Sequence, residues 1–77
     1  MDPARSPRYH LTYRPHHGSD RQVGGVLAGL LAAARAFEDE FFRLACAGER
    51  GTLTLVCELA GTDVPIVARR VAPGTAD

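Results

Sequence analysis

Ser19-Asp20-Arg21-Gln22-Val23-Gly24-Gly25-Val26-Leu27-Ala28-Gly29-Leu30-Leu31, continuing to Ala47, is the stretch on which the fold turns. Apolar residues recur within it at Val23, Leu27, Leu30, Ala34, Phe37, Phe41 and Leu44. Steps of four and three alternate along that series without a break, the repeat of a helical seam. Val26, Leu31, Ala33 and Ala45 widen the seam. Ser19 and Gln22 have the spacing of a capping box, in which hydroxyl and amide each satisfy an orphan N–H of a first helical turn. Gly48 is a natural stop, since glycine accepts the left-handed conformation that ends helices. The spacing predicts one helix from about Asp20 to Ala47, about 28 residues and about 42 Å long. Its interior glycines cost about 1 kcal/mol each relative to alanine. Gly25, Gly29 and the alanines one turn apart form a small-residue stripe along which a second backbone can approach.

On either side of this stretch the period falls to two. Tyr9, Leu11 and Tyr13 alternate with polar residues and predict a strand ended by Pro15. Leu53, Leu55, Cys57 and Leu59 alternate with Thr52, Thr54, Val56 and Glu58 and predict a second. Ala60 to Asp63 read as a turn, and Val64 to Val71 as a third strand, with Pro65 placing it at an edge or a non-bonded position. The expected fold class is α+β: a small β-α-β-β unit with one long helix packed on a three-stranded sheet. A strand-helix-strand crossover would set the first strand parallel to its neighbour in the hairpin. Residues 1–8 read as a flexible N-terminal arm, 9–72 as a single α+β domain and 73–77 as a C-terminal tail. The β-α-β-β order resembles that of the dodecins, small shell-forming proteins, in element order alone, and implies no flavin site or site residue here.

The dimensions of these elements imply association. Strands of about eight residues span roughly 26 Å, well short of a helix of about 42 Å. About three turns of apolar helix would project uncovered, and such stripes mark interaction surfaces; the alternative is a monomer whose helix starts late at Gly24-Gly25 or bends at Gly29. The expected interface is Gly25, Leu27, Gly29, Leu30, Leu31, Phe37, Phe41, Phe42 and Leu44, in a homo-oligomer or with another protein.

Composition limits the function classes. The 77 residues hold one domain, and nine basic residues balance nine acidic ones, so no bulk charge points to a polybasic module. No apolar run reaches the ~20 residues of a membrane span, and Met1 to Arg5 lack the apolar segment of an export signal. Two cysteines, Cys46 and Cys57, are too few for a disulfide scaffold. A cytoplasmic, bacterial protein with reduced thiols is the expectation. All nine basic residues are arginine, whose planar fork suits carboxylate or phosphate.

Each chemical cluster has a plainer reading beside it. His10, His16, His17 and Asp20 are metal-ligand types in no recognised spacing, and a polar turn accounts for them equally well. Cys57 shares the leucine face of its strand and reads as a small core residue; Cys46 sits at a helix C-terminus, where the dipole disfavours a thiolate. Glu38, Asp39 and Glu40 point in different directions from one helix and make no acid–base pair. Gly24, Gly25 and Gly29 lie too far inside the expected helix to cradle a phosphate. No cofactor, metal or catalytic residue is assigned. The reading that follows is a small self-associating interaction or regulatory module without catalytic activity. One alternative is an arginine-rich nucleic-acid binder acting as a dimer through Arg5, Arg8, Tyr9, Tyr13, Arg14, Arg21, Arg69 and Arg70. Another is an accessory subunit whose site forms between chains.

Overall fold

A computed structural model describes residues 7–73. The order is β1 (Arg8–Pro15), β2 (Arg21–Leu27), α1 (Leu30–Cys46), β3 (Gly51–Leu59) and β4 (Thr62–Val71). The four strands form one sheet in the order β2-β1-β3-β4, and every neighbouring pair is antiparallel. The α+β class holds, but the sheet is four-stranded rather than three-stranded and the order is β-β-α-β-β. The element order shared with the dodecins is therefore absent. So is the parallel crossover: β2 turns the chain back before the helix, and β1 and β3 pair antiparallel from Arg8↔Glu58 to Pro15↔Gly51.

The long helix is not formed. Its first third is β2, and α1 holds 17 residues, about 26 Å at helical rise. Ser19 precedes β2 and Gln22 lies within it, so the expected capping box does not exist. The helix starts instead at Gly29, whose carbonyl accepts the Ala33 N–H at 2.9 Å and whose position offers no side-chain cap. The physical reason for the misreading is numerical. A step of four, as from Val23 to Leu27, returns to the same face of a helix and also, being even, to the same face of a strand. Val23 is buried and Leu27 half-buried against the core. Strand geometry places them there without any helix.

Gly24 and Gly25 permit that strand. Leu27 pairs with Tyr9 and Val23 with Leu11, so four steps on β2 match two on β1, a bulge opposite His10. Gly24 takes φ +74° within it, a conformation that costs other residues steric strain. The helix stops where its sequence predicts. The Gly48 N–H bonds the Ala45 carbonyl at 3.1 Å and the Glu49 N–H bonds the Leu44 carbonyl at 3.0 Å, the double closure of a Schellman motif. Ala60 and Gly61, both at positive φ, close the β3–β4 hairpin in two residues.

The core lies between α1 and one face of the sheet. Ala33, Phe37, Phe41, Leu44 and Ala45 pack on Tyr9, Leu11, Tyr13, Val23, Leu53, Leu55 and Val71. One helix is about 10–12 Å across with its side chains. Four strands at about 4.8 Å make a sheet about 19 Å wide. The helix packs most on β3 and least on β4. The dimensional mismatch in this protein is thus one of width, at β4, rather than one of helix length. Among the described residues, no helix is long and apolar enough to cross a membrane.

Candidate functional site

Two surfaces stand out. The first is β4 with its hairpin. Thr62 to Arg70 are exposed without interruption, although the segment Val64-Pro65-Ile66-Val67-Ala68 is almost wholly apolar. Val64 and Ile66 are each 50% exposed, Val67 39% and Leu59 45%. The sheet order places β4 at an edge, as Pro65 predicts. Registration explains how both faces come to be bare. Val64 and Val67 pair with Cys57 and Leu55 and so face the helix side, where α1 does not reach; Pro65 and Ala68 pair with Val56 and Thr54 on the open side. Ile66 lies at the irregularity between these pairings. This segment was not among the expected interface residues. Its signal was present, because an unalternating apolar run belongs to a strand with two faces to bury.

The expected interface divides. Phe37, Phe41 and Leu44, at 4%, 7% and 1% exposure, complete the chain's own core and offer no outer surface. Leu27 packs partly against that core. Gly25 and Gly29 have nothing within 4 Å of a notional Cβ, so no backbone presses on them within the chain. Leu30, Leu31 and Phe42 remain exposed. Phe42 is one turn beyond Glu38, the residue that meets Arg69 of β4, so it lies on the flank of α1 that borders the bare strand.

The second surface is one end of the sheet. Gly51 begins β3 so close to β1 that a Cβ would overlap the Arg14 carbonyl oxygen and lie 2.9 Å from the Tyr13 ring. The His16 N–H bonds the Arg50 carbonyl at 2.7 Å just beyond it. Arg70 pairs in register with Thr52, which pairs in turn with Arg14. The ladder therefore gathers arginines 14, 50 and 70 around a cleft of about 500 Å³ that His16 and Thr52 also line. Among the described residues, no carboxylate lines it. A smaller hollow beside it, about 300 Å³, adds Thr12, Asp20 and Thr54 and shares Arg14 and Thr52. Asp20 grips Arg14 through Nε at 2.7 Å and Nη2 at 3.1 Å. That hydrogen-bonded contact with the guanidinium draws the Asp20 carboxyl below the usual carboxylate range and raises Arg14. The opposite end of the same face is mixed, with Arg8 against Glu58 and Glu58 against Asp63.

The expected nucleic-acid contacts separate accordingly. Arg8, Arg14 and Arg70 lie on the open face by register with Glu58 and Thr52, whereas Arg21 and Arg69 lie on the helix side. Arg21 covers the Tyr13 ring at 5.1 Å, and Arg69 covers Phe41 at 4.2 Å while reaching Glu38 at 3.3 Å. Tyr9 and Tyr13 are core residues. Their rings face the helix rather than the open face that carries Arg8, Arg14 and Arg70. Burial and the neighbouring Glu49, which accepts the Tyr13 hydroxyl at 3.3 Å, push the Tyr13 phenol up, against a smaller opposing pull from Arg21. Arg5 lies outside the described residues.

The remaining clusters are also placed. His10 Nδ1 meets Glu58 at 2.6 Å across the open face, while His16 and His17 contact edge-on at 4.5 Å. Among the described residues, no three metal-ligating side chains converge. Glu40 is held by Arg43 on the helix surface. Cys57 packs against the core, as its strand position predicts; Cys46 is exposed, and both are free thiols. Compared with known proteins, the chain matches no family model, no curated protein and no solved structure.

Proposed function

We propose that this protein is a self-associating interaction module whose contact surface is β4 together with the neighbouring flank of α1. The carrying observation is the exposure of Val64, Ile66 and Val67 on the part of β4 that α1 leaves bare. Contiguous apolar surface of this kind marks association sites, and an edge strand presents unpaired N–H and C=O groups to a partner strand. A second copy fits by symmetry. An antiparallel two-fold contact centred between Ile66 and Val67 sets Asp63 of one copy opposite Arg70 of the other at each end. The arginine pairs of the two copies are kept apart. The main-chain ladder is shortened by Pro65, which lacks a donor, and by the irregularity at Ile66, so apolar side chains carry most of the association.

Sedimentation equilibrium tests the reading. The parent chain is expected to exceed its 8.2 kDa monomer mass at high micromolar concentration. Val67→Lys should weaken association at least about tenfold, the loss expected when a charge enters an apolar contact, with an unchanged circular dichroism spectrum. A parent chain that stays monomeric at millimolar concentration refutes the proposal. Association that Val67→Lys leaves intact refutes the choice of surface.

A further inference from the structure

We infer that the arginine-lined end of the sheet binds a small phosphorylated ligand. The site lies within one chain and does not depend on self-association. Three arginines of different backbone origin line one cleft: Arg14 near the end of β1, Arg50 just before β3, and Arg70 near the end of β4. Like charges repel, and a chain of zero formal net charge has acidic groups with which to disperse them. Here the ladder and the close approach at Gly51 hold them at one end, among lining residues that include no carboxylate.

The chemistry of the lining selects phosphate. Guanidinium forks pair with phosphate oxygens bidentately. The Thr52 hydroxyl beside them adds a donor that suits the same oxygens. Asp20 engages Nε and Nη2 of Arg14 and leaves Nη1 available, so the carboxylate acts as a positioning residue for that arginine. The cleft, at about 500 Å³, is of small-ligand size. Thr12 and Thr54 in the adjoining hollow would meet the ligand's remaining hydroxyls or amides. An extended polyanion fits less well. A nucleic-acid strand following the open face away from the cleft would reach Glu58 and Asp63, paired in register at the other end.

Calorimetric titration with inorganic pyrophosphate at low ionic strength is the direct test, with a ten-nucleotide single-stranded oligothymidylate as a parallel arm. Arg70 also meets the proposed β4 contact, so the protein is kept dilute enough to be monomeric by sedimentation. Pyrophosphate should bind saturably and weaken with added salt. Arg50→Ala and Arg70→Ala should each lower affinity about tenfold or more, the scale of a lost charge-assisted hydrogen bond. Thr52→Val, which keeps the charge, should lower it severalfold. Arg8→Ala and Arg69→Ala remove the same charge elsewhere and should change affinity less than about twofold. Circular dichroism of each variant checks its fold. Absence of saturable pyrophosphate binding overturns the inference, as does equal weakening by all four arginine variants. Tighter oligothymidylate binding that falls with Arg8→Ala overturns it in favour of a polyanion track.

Discussion

Strands β3 and β4 are joined by a two-residue turn and carry similar apolar segments, yet they fare oppositely. Leu53 and Leu55 of β3 are sealed under the helix and between two neighbouring strands, while Val64, Ile66 and Val67 of β4 stand bare. Hydrophobicity does not separate the two segments; place in the sheet does. An interior strand has a neighbour on each side and lies where a single helix rests. An edge strand has one neighbour, and here the part of β4 from Val64 to Val67 lies beyond the helix's reach. Burial is a property of position, and apolar residues left at the poor position become surface available to a partner.

The largest expected effect comes from truncating equivalent leucine and valine positions on the two strands. Leu53→Ala empties a fully buried site and should destabilise the chain by about 2–5 kcal/mol, enough to unfold a domain of this size at 37 °C. Val67→Ala, on the exposed strand, should change monomer stability by less than about 1 kcal/mol. Urea denaturation of both variants measures the gap. Equal losses would mean that β4 is buried in solution by something other than this chain's own core.

A smaller contrast sets two glycines against each other. Gly51→Ala forces a methyl group into the Arg14 carbonyl and the Tyr13 ring where β1 and β3 meet. Such overpacking costs about 1–3 kcal/mol. Gly25→Ala on edge strand β2 meets open space and should shift stability by less than about 0.5 kcal/mol. The two melting curves would sharpen the distinction between a clamped interior pair and a loose edge.

The smallest effect is set by pH. Tyr13 is buried at the centre of the clamped region, and its phenol is raised above 10.0 by burial and by Glu49. The folded state therefore holds the proton more tightly than the unfolded chain does. Its contribution is fully present below pH 10 and is lost as pH rises through the folded value. Tyr13→Phe should flatten the decline in stability above pH 10, as followed by urea midpoints across an alkaline series. No titration on β4 should imitate it, since that strand holds no tyrosine.

Legibility followed the same physics. Strands β1 and β3 could be read from their own alternation, which reports a sheet with a buried face, and β4 from its unbroken apolar run with Pro65 near its start. The helix was legible from Leu30 onward, where Ala34, Phe37, Phe41 and Leu44 follow by alternating steps of four and three and Gly48 ends the run. It failed before Leu30, where Val23 and Leu27 are spaced by a number that suits either element. Gly24 and Gly25 were the discriminating residues there, being poor in a helix and fitted to a bulge. Arg14, Arg50 and Arg70 could be grouped from the sequence only on the condition that the sheet brings them together. Arg14, Arg50 and Arg70 are remote in sequence and meet only once the β1–β3 and β3–β4 registers are set.

By itself, then, the amino-acid order determined the α+β class, three of the four strands, and the body and end of the helix. These rest on local periodicity, which each segment carries wherever it is placed. The strand order, the conversion of Arg21–Leu27 into β2, the bareness of β4 and the convergence of three arginines were decided only in the tertiary structure. Each depends on which segments become neighbours, and pairing and burial are set jointly by the whole sheet and the one helix laid across it.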